Sequence, residues 1–161
     1  MHASANHTQE NKRQYPNHIY IPEVKKFIDK GEHVVIPLRG YSMRLFLEHD
    51  RDKVILAPIA RPLRLHDVVL AEVAPQTYVL HRIIRIQGDT ITLMGDGNIR
   101  GTETCKTHHV IAIAIGFYRK QRTKPDMVDS IKWKAYSKIW LLLKPFRRII
   151  LGVYRRLFYK H

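Results

Sequence analysis

Six short runs rich in Val, Ile, Leu and Thr follow one another between Glu32 and Tyr118, and this succession points to β-structure. They are His33–Leu38, Lys53–Pro58, Asp67–Val73, Thr77–Ile86, Thr90–Met94 and Val110–Tyr118, separated by Gly, Pro, Asp and His. Gln87-Gly88-Asp89 has the composition of a hairpin turn, so the fourth and fifth runs are predicted to be antiparallel neighbours. The predicted fold is mainly β: a coiled, barrel-like antiparallel sheet with a short helix before it and a helical tail after it. A chain of 161 residues suits one domain with an appendage and buries a core without disulfide help. Cys105 is the sole cysteine, which excludes an intrachain disulfide and leaves no cysteine cluster for a metal.

Residues 1–18 are polar, lack the apolar centre of a signal peptide, and are expected to be disordered. Pro22 is predicted to open a short helix with Val24, Phe27 and Ile28 as its apolar face and Gly31 as its stop. The β-domain is assigned to residues 19–120 and the tail to 121–161. The tail repeats Ile139, Leu142, Leu143, Phe146, Ile150, Val153 and Leu157 at helical spacing, with Pro145 expected to divide the helix. Of the formal charge of +14, residues 131–161 carry +9, with nine basic residues and no acid. No run reaches the roughly 18 apolar residues of a membrane-spanning helix. A basic, aromatic-rich amphipathic tail suggests an anionic membrane surface, and the residues predicted to bind it are Trp133, Trp140, Lys144, Arg147, Arg148, Arg155 and Arg156. The alternative is a helix packed on its own domain or on a partner.

Three stretches carry residues with chemical potential. Gly40-Tyr41-Ser42-Met43 follows the first β-run, and a serine at a strand end becomes a nucleophile when a base takes its proton. Tyr78-Val79-Leu80-His81-Arg82-Ile83-Ile84 holds one histidine in an apolar strand, and histidine accepts protons near neutral pH. Leu93-Met94-Gly95-Asp96-Gly97-Asn98 holds an aspartate in a glycine-rich turn. Each has a plain structural alternative: a turn serine, a core histidine, a hairpin aspartate.

In order and spacing, the three stretches resemble the signal-peptidase and LexA-like serine peptidases across about residues 33–118. That family shows Gly-x-Ser-Met-x-Pro, a later strand with the general base, and a Gly-Asp-x-Asn turn. The resemblance implies a serine endopeptidase with Ser42 as nucleophile, His81 as base and Asp96 as the carboxylate on the imidazole, and with Gly40 and Met43 shaping the substrate site. His81-Arg82 matches the histidine-type relatives, and no lysine lies between Lys53 and Lys106. Leu45 stands where the family has proline, and Gly40 cannot supply the hydroxyl that some relatives place two residues before the nucleophile. His66-Asp67-Val68-Val69 is similar to the family's Gly-Asp-Val-Val, with His66 in place of glycine. No metal or other cofactor is implied. The expected substrate is an extended leader or signal peptide with small residues before the scissile bond. The expected location is peripheral, on the cytoplasmic face of a membrane, with no specific nucleic acid partner. The alternatives are a LexA-like regulatory module and a catalytically inactive peptide-binding relative.

Overall fold

The structure, a computed structural model, describes residues 15–44 and 47–158. Helix α1 (Asn17–Asp29) begins a turn before Pro22, so residues 17 and 18 are helical rather than disordered. Its buried face is Ile21, Val24 and Ile28, one turn apart each, which requires the helix to run through Pro22. Phe27, predicted to share that face, is exposed.

The strands are β1 (Val34–Pro37), β2 (Lys53–Ala57), β3 (Val68–Ala74), β4 (Thr77–Gln87), β5 (Thr90–Met94), β6 (Glu103–Lys106), β7 (Val110–Tyr118) and β8 (Asp126–Met127). They form one antiparallel sheet in the order β1-β2-β7-β3-β4-β5-β6, with β8 added to β7. The sheet is open, with β1 and β6 at its ends, so the barrel-like expectation is corrected to a coiled sheet. Register shifts at Ile55/Leu56, Leu70/Ala71 and Ile83/Arg85 bend it, and β3 touches β6 without pairing to it. The notable register runs through β4. Arg82 sits opposite both Val68 and Met94, while His81 faces Val69 and Ile83 faces Leu93. Successive side chains leave a strand on opposite faces. Arg82 therefore enters the core shared with α1, Leu56, Leu70 and Phe117, and His81 points with Ile83 toward the second core of Val69, Ile91, Leu93 and Cys105.

Helix α2 (Ile131–Leu142) and helix α3 (Arg147–Phe158) are separated by a 3-10 turn, Lys144–Phe146, that contains Pro145. Trp133, Ser137, Trp140, Arg147 and Leu151 recur at helical spacing on the buried side. Trp133 stacks on Phe117 with ring centroids 4.6 Å apart. This corrects part of the expected lipid-facing set: Trp133, Trp140 and Arg147 point into the protein, because the helical period puts them on its domain side. Arg148 and Arg156 are exposed, and the side chains of Lys144 and Arg155 lie outside the described residues, as does Leu45.

Asp52 is buried and ties the loop before β2 to the end of β7. It accepts from Arg51 at 2.8 and 2.7 Å, from the Glu48 amide at 2.9 Å and from the Lys120 amide at 2.9 Å. Burial pushes its pKa up, but the Arg51 guanidinium and the two amides outweigh this and hold it below the ordinary 3.8. A depressed carboxylate contributes stability above its unfolded-state pKa, and that contribution is lost as pH falls through the lower folded value. Asp52→Asn is therefore expected to lose about 1.5–3 kcal/mol at pH 7. It should also flatten the acid limb below pH 3.8, as read by urea melts at stepped pH.

Candidate active site

Ser42 lies in the turn that leaves β1. Gly40 holds φ +87°, a conformation that glycine enters without strain, and its amide donates to His49 Nδ1 at 3.0 Å. The Arg44 amide closes the turn on the Tyr41 carbonyl at 3.1 Å. The Gly95-Asp96-Gly97 turn after β5 lies directly against this one, and the Gly97 amide donates to the Ser42 carbonyl at 2.7 Å. Both glycines serve close approach. A methyl group at Gly97 would sit 2.8 Å from the Tyr41 oxygen, and one at Gly95 would collide with the Ser42 carbonyl.

The same point at Gly95 locates the pair of interest. A Cβ there would lie 2.9 Å from Ser42 Cβ and 3.0 Å from His81 Nε2, so the serine and the imidazole flank the same glycine, and among the described residues no hydrogen bond joins the two. The placement of His81 follows from register, since one step beyond the Arg82–Met94 pair sets His81 opposite Gly95. His81 is 3% exposed. Its Nδ1 lies 2.9 Å from Glu103 Oε2, and the Glu103 side chain is 33% exposed. Glu103 faces Leu93, which faces Ile83, so the carboxylate stands on the His81 side of the sheet. An Nδ1–H donated to Glu103 leaves the Nε2 lone pair on the serine side.

Asp96 is brought near, but not to the imidazole. It takes Arg82 Nε at 2.9 Å and Nη2 at 2.6 Å, and both side chains are 1% exposed. The expectation that Asp96 orients His81 is corrected: strand alternation sends Arg82 to the opposite face from His81, and Asp96 follows Arg82. Arg82 Nη1 also donates to the His66 carbonyl at 3.0 Å and to Ser137 Oγ at 3.1 Å. His66, where the resemblance expects glycine, holds φ 79°, the left-handed region that glycine favours. Trp140 Nε1 donates to the Asp96 carbonyl at 3.2 Å, and the Asp96 amide meets Met43 Sδ at 3.4 Å. Arg147 Nη1 lies 3.5 Å from Met94 Sδ. Burial lowers the Arg147 pKa while Asp96 opposes the shift.

Two clefts flank Ser42. One, of about 110 Å³, is lined by Tyr20, Ile36, Leu38, Gly40, Met43 and Leu80 among others, which puts both predicted substrate residues on its wall. The other, of about 370 Å³, is lined by Tyr41, Arg44, Asn98, Arg100, Leu151 and Tyr154 among others. Tyr154 donates to Glu48 Oε1 at 2.7 Å, so α3 ties down the loop after Ser42 as α2 ties down the Asp96 turn. Among the described residues no group of three or more His, Cys, Asp or Glu is arranged to hold a metal.

Glu103 was missed because β6, Glu-Thr-Cys-Lys, is too short and polar to read as a strand. The available signal was scarcity: it is the only acid between Asp96 and Asp126. No family model and no curated protein matches the chain.

Proposed function

We propose that this chain is a serine endopeptidase of the signal-peptidase/LexA-like type, with Ser42 as nucleophile, His81 as general base and Glu103 as the group that orients His81. The observation that carries the reading is that Ser42 and the His81 Nε2 edge lie on either side of Gly95, with Glu103 on the far ring nitrogen. Ser42 Oγ attacks the peptide carbonyl while His81 Nε2 takes its proton. His81 then returns that proton to the leaving amine, and the ester remains on Ser42. Water attacks the ester, its proton passes through His81 to Ser42 Oγ, and the acid product leaves. Glu103 fixes the tautomer and favours the imidazolium in both halves. Among the described residues the Ser42 amide has no acceptor, and it is the donor that meets the developing oxyanion.

The substrate in this reading is an extended peptide. β1 ends the sheet and runs directly into the Ser42 turn, so a peptide strand added to that edge delivers its carbonyl to the serine. The cleft of about 110 Å³ beside Ser42 has room for a small aliphatic side chain before the scissile bond. The test is mass spectrometry of a leader-like peptide library, with Ala, Gly or Ser before the bond, incubated with the wild type and with Ser42→Ala. Cleavage by the wild type alone is expected. A folded wild type that cuts nothing would replace the peptidase reading with a peptide-binding one.

A further inference from the structure

The C-terminal helices have two different faces, and only the inner one is accounted for by the domain. On the outer side Ile139, Leu142, Phe146, Ile149 and Val153 recur at spacings of three, four, three and four, and each is more than half exposed. Lys138, Arg148 and Arg156 are exposed on the same two helices, and residues 131–161 contain no acid. Five large apolar side chains at helical spacing, with basic neighbours, form a surface of the kind that lies in a bilayer interface. We infer that this outer face is a membrane-docking surface for a bilayer rich in anionic lipids, with the five apolar residues entering the headgroup boundary and Lys138, Arg148 and Arg156 meeting lipid phosphates.

The charge pattern selects this occupant. A second copy would bring one basic, acid-free face against another, which repels. Nucleic acid would match the charge but would leave the apolar residues in water. Among the described residues no helix is long and apolar enough to cross a membrane, so the docking is in-plane. On the opposite side of α3, Leu151 and Tyr154 line the larger cleft beside Ser42. Docking therefore holds that cleft about one helix diameter, roughly 10–12 Å, from the lipid surface. That this favours membrane-borne peptide substrates rests on the peptidase reading; the docking itself does not.

The experiment is flotation of the full chain with phosphatidylcholine vesicles, with and without phosphatidylglycerol. The variants are Leu142→Ser/Ile149→Ser/Val153→Ser and Lys138→Gln/Arg148→Gln/Arg156→Gln, with Ser42→Ala alongside. All these docking residues are exposed, and thermal melts coincident with wild type certify the fold. Wild type and Ser42→Ala are expected to float equally with anionic vesicles. The serine triple should lose at least tenfold in partitioning. The glutamine triple should lose severalfold per charge, with salt mimicking its effect. The inference is overturned if wild type stays in solution with anionic vesicles, or if the serine triple floats undiminished. It also fails if a DNA duplex displaces the protein from vesicles, or if wild type is a dimer that the serine triple dissolves. Because Ser42→Ala floats regardless of activity, failure of the peptidase reading leaves this result standing.

Discussion

Asp96→Ala is expected to melt far below wild type, a change in stability rather than in chemistry alone. The substitution leaves the Arg82 guanidinium in a core where it is 1% exposed, with the His66 carbonyl and Ser137 hydroxyl as its remaining acceptors among the described residues. Removing one partner of a buried ion pair costs about 3–5 kcal/mol, because the remaining charge loses its compensation. A domain is stable by only about 5–15 kcal/mol, so this loss consumes a large fraction of the total. The damage reaches the site, since the same turn seats the Gly97 amide on Ser42 and the Asp96 carbonyl on Trp140. Replacing both partners, as Arg82→Met/Asp96→Leu, should recover much of the loss, because the uncompensated charge goes with its partner. Urea melts followed by circular dichroism decide it. An Asp96→Ala variant within 1 kcal/mol of wild type would refute the structural role.

Why the sequence misplaced this aspartate is physical. Alternation and turn chemistry made β1, β2, β3, β4, β5 and β7 legible, two of them to the residue, because apolar runs between Gly, Pro and Asp carry a strong local signal. The hairpin reading put His81 and Asp96 on neighbouring segments, and they are neighbours. Which face of the sheet each side chain takes depends on register, and a one-residue step reverses it. Register here places Arg82, not His81, with Asp96. The partner of His81 sits on β6, where tertiary pairing to β5 rather than local propensity makes the strand. The tail shows the same limit: its helical period was visible, but which side faced the domain was not. Trp133 and Trp140 read as lipid anchors until Phe117 and Asp96 were seen to receive them.

The division of labour between the two carboxylates gives the second large effect. On the peptidase reading, Ser42→Ala and His81→Ala are each expected to lower kcat about a millionfold, and the double variant should fall no further, since the two act as a unit. Glu103→Gln is expected to lower kcat about ten-thousandfold with little change in KM, the loss seen when the orienting carboxylate of a serine triad becomes an amide. Glutamine keeps the side chain's length but presents either an amide oxygen or an NH2 to Nδ1, and it cannot stabilise the imidazolium by charge. Because Glu103 is a third exposed and its contact is to one ring nitrogen, the variant should melt close to wild type. Asp96→Ala is expected to show the opposite signature, a large loss of stability. The pair of measurements therefore assigns the roles independently. Full kcat in Glu103→Gln, with a folded Asp96→Asn that is inactive, would return the orienting role to Asp96 and require the turn to rearrange on substrate binding.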